Sequence, residues 1–204
     1  MARTPAALRG QILESALRLF AQYGFRGTSL QHIASDAGCS KASLLYHFAN
    51  KEAILAELLV PVEREAVALD ARLAGLDGEV AAVTAVNAFA ALTVRFRREM
   101  KVLLDTLPER TVLNDPALDG LGDRIADAMA GRSPDPADQV AAWMALGGMF
   151  VTGAADPPMG DEALREAMTA AALRTLGRAA PRERAKGEDE AKRGDGVARE
   201  EGDA

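Results

Sequence analysis

Between Thr28 and Lys51 the chain gathers polar side chains that could meet the oxygens of a phosphodiester: Thr28, Ser29, Ser40, Lys41, Ser43, Tyr46, His47 and Lys51. An ammonium pairs with a backbone phosphate, and a phenol or hydroxyl can donate to one. Thr28 and Ser29 can combine this with helix capping, because a helix N-terminus already attracts anions. Catalysis has nothing comparable to rest on. The sequence holds no nucleophile, base and acid set, phosphate loop, metal cluster or dinucleotide fingerprint, and no cofactor is expected. A single cysteine, Cys39, excludes an intramolecular disulfide, and with two histidines it leaves no Cys/His zinc site. At an apolar turn position Cys39 reads as a small buried hydrophobe, and His32 as a surface residue with no second ligand at helical spacing.

The elements that must position these side chains are short. Leu8, Ile12, Ala16 and Phe20 form the stripe of an amphipathic helix over residues 6–23, which Gly24 ends. Thr28 and Ser29 then cap a two-turn helix carrying Leu30, Ile33, Ala34 and Ala37 on one face and stopping at Gly38. Ser40 caps a third helix, Lys41 to His47, and the acid-led run from Asn50 begins a fourth. Isolated helices of two turns are marginal in water, so the second and third must pack on the first and fourth through Leu30, Ile33, Leu44, Leu45 and Phe48. Two short helices joined by a tight turn at Gly38 and Cys39 form a helix-turn-helix, whose second member enters a DNA major groove. Small Ala42 and Ser43 let that helix sit deep, and Lys41 and Gln31 are the long side chains available to read bases.

The rest of the 204 residues reads as helical. Pro61 should kink the fourth helix near Glu57. Further helices are expected at about 79–97, 98–107, 117–130, 136–155 and 161–178, parted by Gly75 to Gly78, Pro108, Asn114-Asp115-Pro116, Ser133 to Pro136 and Asp156-Pro157-Pro158. Beyond Ala180 no Leu, Ile, Phe, Met or Trp occurs, so residues 180–204 are expected to form a disordered polar tail. With 49% hydrophobic residues but 4% aromatics, the composition favours helix-on-helix packing over a β-sandwich. Residues 1–60 carry six basic and four acidic side chains, a charge of +2, whereas the remaining residues carry 18 and 26, a charge of −8. A polyanion would therefore meet the head and be repelled by the body. The apolar stretches 80–94 and 141–155 are shorter than a membrane span, and residues 1–17 lack the pattern of a secretory signal. A cytoplasmic location with no membrane partner is expected.

The run TSLQHIASDAGCSKASLLYHFANKEAIL resembles the DNA-binding segment of the tetracycline-repressor (TetR-like) family, and Ile12 to Thr28 resembles the helix preceding it. About fifty residues carry the match, through Thr28, Ile33-Ala34, Ala37-Gly38, Cys39-Ser40, Tyr46, His47-Phe48 and Lys51-Glu52. Cys39 stands where Val is usual and Ala42 where Gly is frequent, and Tyr46 lies one place beyond the commonest tyrosine position. The resemblance implies an all-α homodimer: a helix-turn-helix head (residues 1–50), a helical-bundle ligand-binding and dimerisation domain (51–179) and the tail. It implies a repressor of a palindromic double-stranded DNA operator, relieved by a small molecule. Taken alone, Lys41 and Lys51 read as solvated surface lysines; with the motif they become DNA contacts.

For the body the sequence offers polar interruptions, Thr84 and Asn87, in a very apolar helix, and bulky Met100, Trp143 and Met144. These are the expected lining of a pocket for an apolar effector. Val140, Trp143, Gly147 and Val151, with Leu164, Met168 and Ala171, are apolar positions that one protomer is not expected to cover, and they are assigned to a dimer interface. The alternatives are an all-helical small-molecule carrier, which leaves the turn-helix motif without purpose, and an activator in place of a repressor.

Overall fold

The computed structural model describes residues 4–106 and 119–178, and every described element is a helix. Two helices of 23 residues and two of seven build the head. Helix α1 (Pro5–Gly27) starts with Pro5 in its first turn and the Thr4 hydroxyl accepting from Ala7 N, and breaks at Gly24, whose φ of +74° favours glycine. Helix α2 (Leu30–Asp36) is capped by Ser29, α3 (Lys41–His47) by Ser40 and α4 (Lys51–Leu73) by Asn50, each side-chain oxygen accepting an N–H three residues on. Phe20, Ile33, Leu44 and Phe48 fill the centre, closed by Ile54 and Leu55 of α4 and by Val102 from much later in the chain. Truncating Ile33 or Leu44 to Ala would cost about 2–5 kcal/mol by cavity formation, enough to lose helices that short.

One expectation fails here. Leu45 does not join that core: its neighbour Leu44 is fully buried while Leu45 is 44% exposed, because a seven-residue helix can turn only one narrow face inward. Helix α4 runs on through Pro61 as one element, as expected, and Pro61 lies on its exposed side.

The body comprises the rest of α4 with α5 (Gly78–Arg95), α6 (Arg97–Thr106), α7 (Leu121–Met129), α8 (Pro136–Ala155) and α9 (Asp161–Thr175). Helix α5 lies among α4, α7, α8 and α9, burying Ala85, Val86, Phe89 and Ala90. At Phe96 the chain turns by 90° into α6, which passes between α1 of the head and α8 of the body. Gly153 allows α8 to approach α5 closely, since a Cβ there would lie 3.1 Å from Thr93. Arg132 fastens the far corner, donating to the carbonyls of Leu73 at 2.8 Å and Leu76 at 2.9 Å while pairing with Asp127 at 2.8 Å. No single described helix is long and apolar enough to cross a membrane. The expected turns at Pro108 and Asn114 to Pro116, the first residues of the helix expected from 117, and the tail at 180–204 lie outside the described residues.

Candidate nucleic-acid interface and body cavity

Helix α3 presents Lys41, Ala42, Leu45 and Tyr46 to solvent, with Ser43 and His47 half-buried at its edges. Tyr46 is 84% exposed and meets the His47 ring edge-on at 5.3 Å. Ser40 caps α3 by accepting from Ser43 N at 3.0 Å, and Ser29 caps α2 by accepting from His32 N at 3.1 Å. Capping occupies an oxygen lone pair and leaves each hydroxyl proton available for a phosphate. Among the described residues of the head, Lys41 is a cation with no protein partner. Arg9 pairs with Glu57 and Arg18 with Asp36. The Asp36 carboxyl is held below its ordinary range, first by a hydrogen bond from Ser15 and then by Arg18. The basic character of the head is thus spent largely on itself.

Two expected contacts take other roles. Thr28 is 2% exposed, and its hydroxyl turns inward to the carbonyls of Gly24 at 2.9 Å and Leu19 at 3.2 Å. Its side chain cannot reach a phosphate, and Ser29 alone is the α2 cap. Lys51 donates to the carbonyls of Phe25 at 2.6 Å and Thr28 at 2.9 Å, with its ammonium 4.2 Å above the Phe25 ring. Phe25 O also accepts from the Thr28 N–H at 3.4 Å, so Lys51 reinforces the end of α1 and keeps one of its three protons for a ligand.

The body contains a cavity of about 400 Å³ between α4, α5, α6, α7 and α8. Leu59, Phe89, Met100, Leu103, Ile125 and Trp143 are among its walls, and Glu63 is its acidic residue. Of the expected lining, Met100 and Trp143 are brought there. Thr84, Asn87 and Met144 are not: Asn87 Nδ2 donates back to Val83 O at 2.8 Å, Thr84 is half-buried on α5 away from the cavity, and Met144 faces solvent. Leu59, Leu103 and Ile125 gave no sequence signal, because an apolar residue facing a cavity looks the same as one in a packed core. Leu59 and Leu103 also pack on the head core, so cavity and head share two walls.

Helix α8 leaves an apolar stripe outside: Val140, Trp143, Met144, Gly147 and Val151 are all exposed. Of the positions expected beside it on α9, Ala171 is exposed, but Leu164 and Met168 are buried within the protomer against the body core. The outer face of α9 instead presents Ala163, Ala167 and Ala171.

A family model described as bacterial regulatory proteins, tetR family, matches residues 12–58. The HTH-type transcriptional regulator RutR of Escherichia coli (strain K12) is 47% identical over 57 residues, 28% of this chain, and the match spans only 27% of that protein. The putative mycofactocin biosynthesis transcriptional regulator MftR of Mycobacterium tuberculosis is 32% identical over 149 residues, 67% of this chain and 73% of the relative. A TetR-like transcriptional regulator from Rhodococcus sp. RHA1 shares the fold, with a TM-score of 0.63 over 87% of this chain and 98% of that one at 21% identity.

Proposed function

The chain belongs to the TetR family of bacterial regulatory proteins, a DNA-binding transcriptional regulator, and from that premise we propose that it is a homodimeric repressor released from a palindromic operator by an apolar small molecule. The observation that carries this reading is the wall shared by cavity and head, since Leu59 and Leu103 touch both. A molecule that fills the cavity presses on α4 and α6 together, the two helices on which α1 rests.

Binding then becomes a choice between two placements of the heads. Two recognition helices must enter major grooves about one or two DNA turns apart, each turn about 34 Å. An effector that prefers the misfitted placement ~100-fold supplies about 2.7 kcal/mol of coupling, and by linkage the operator weakens effector binding equally. The exposed stripe of α8, uncharged from Gln139 to Ala155, and the alanine face of α9 support a two-fold four-helix interface.

Light scattering and a shift assay on duplexes selected from random DNA test the proposal together. The particle should have twice the 21.5 kDa mass of the chain, and N-phenyl-1-naphthylamine, an apolar probe, should displace it from the selected duplex. A 21.5 kDa particle at micromolar concentration contradicts the dimer; DNA affinity indifferent to a probe shown to bind contradicts the release mechanism.

A further inference from the structure

We propose that Leu45, seated beside Ala42, reads a thymine by packing its methyl groups against the C5-methyl of that base in the major groove. This rests on the reading that α3 is the helix inserted into the groove.

The exposure of α3 carries the argument. With successive residues about 100° apart around a helix, the four exposed residues follow one another in the angular order Lys41, Leu45, Ala42, Tyr46. Leu45 and Ala42 therefore form the ridge of the outward face, and Lys41 and Tyr46 its flanks. Leu44 on the inward side is fully buried, which locks that orientation. A helix laid in the groove along this face puts its flanks toward the phosphate walls, where an ammonium and a phenol have partners, and its ridge toward the base edges.

What the ridge can recognise follows from its chemistry. Neither Leu45 nor Ala42 has a donor or acceptor, so hydrogen-bonded readout at the ridge is absent. The apolar feature of the major-groove floor is the thymine methyl. Ala42 is short enough to let the ridge descend, and Leu45 projects further by its branched end. The surroundings suit DNA over an apolar protein partner: Lys41 has no partner among the described residues, and the hydroxyl protons of Ser29 and Ser40 remain to be used.

The test removes one methyl group at a time. Duplexes selected by the wild-type protein from random DNA are resynthesised with each thymine replaced singly by deoxyuridine, symmetrically in both half-sites, and Kd is measured at fixed salt. At one thymine per half-site the replacement should weaken wild-type binding by about 4-fold per half-site, hence about 15-fold for a two-fold site. With Leu45→Ala, whose exposed position leaves the head core intact, the same replacement should change Kd by less than 2-fold, and reselection should show lost preference at that position alone. Equal penalties in both proteins, or no penalty anywhere in a selected site, overturn the proposal while leaving the groove-reading role of α3 standing. Recovery of no sequence preference by the wild-type protein overturns both.

Discussion

Asp105 of α6 accepts a hydrogen bond from the backbone N–H of Phe25 at 2.8 Å, across eighty residues of sequence. Phe25 begins the last turn of α1 beyond the break at Gly24, and its carbonyl is taken in the other direction by Lys51. One peptide segment of the head is thus held by α4 on one side and by the helix that walls the cavity on the other. The missing side chain of Gly24 leaves room for this, because a Cβ there would meet the Asp105 carboxylate at 3.1 Å.

Removal of that bond gives the first prediction. Asp105→Ala should cost about 1.5–3 kcal/mol, the range for a hydrogen bond to a charged acceptor, read as a lower urea midpoint at unchanged m. The Phe25 amide should exchange faster with solvent than in wild type, while amides of the α5 core keep their protection. An unchanged Phe25 exchange rate would show that α6 does not restrain the head.

Lys41 and Lys51 should separate into two kinds of residue. Lys51→Ala removes two bonds to carbonyls and a cation–π contact, so it should lower head stability by about 1–3 kcal/mol as well as weaken DNA binding. Lys41→Ala should leave the melting temperature within about 1 °C, yet reduce the slope of log affinity against log salt by about one per protomer. Equal melting temperatures for the two variants would refute the structural role of Lys51.

The legible part of this molecule was the part specified locally. Ser29, Ser40 and Asn50 announce helix starts by side-chain chemistry that acts over three residues, and Gly24 and Gly38 announce stops, so the head could be read from the chain. The cavity could not, because its walls come from five helices brought together by distant packing. Polar interruptions misled for a definite reason. Asn87 bonds the Val83 carbonyl one turn back in its own helix, which satisfies it inside apolar surroundings without a ligand. Leu44 and Leu45 are indistinguishable by type, and only the packed helix decides which is core.

Glu99 gives a pH-dependent prediction. Its carboxyl, half-buried on α6, is raised above the ordinary glutamate value first of all by desolvation, with Glu14 adding repulsion and Arg98 opposing it. A folded pKa above the unfolded one means the native state holds more protons in the window between them. Its contribution is fully present below the unfolded value and is lost as pH rises through the folded one. Glu99→Gln stays neutral throughout, so in urea titrations its stability relative to wild type should rise as pH climbs through and above the ordinary glutamate range. A pH-independent difference between the two proteins would refute the assignment to Glu99.

The cavity is tested through Trp143, the one tryptophan of the chain, which lines the cavity and is 47% exposed beside the α8 stripe. Bound N-phenyl-1-naphthylamine should quench its emission with a stoichiometry of one per protomer. Gly122, on the opposing helix, would carry a Cβ 3.5 Å from the tryptophan ring, so a larger side chain there intrudes on the same space. Gly122→Leu should weaken probe binding by about 10-fold or more, since the added side chain takes volume from a cavity of about 400 Å³. Thr84→Ala and Asn87→Ala lie outside that space and should leave probe affinity within about 2-fold. The reverse pattern, with affinity lost in Thr84→Ala or Asn87→Ala and kept in Gly122→Leu, would relocate the ligand site to the polar interruptions of α5 and detach it from the wall that Leu59 and Leu103 share with the head.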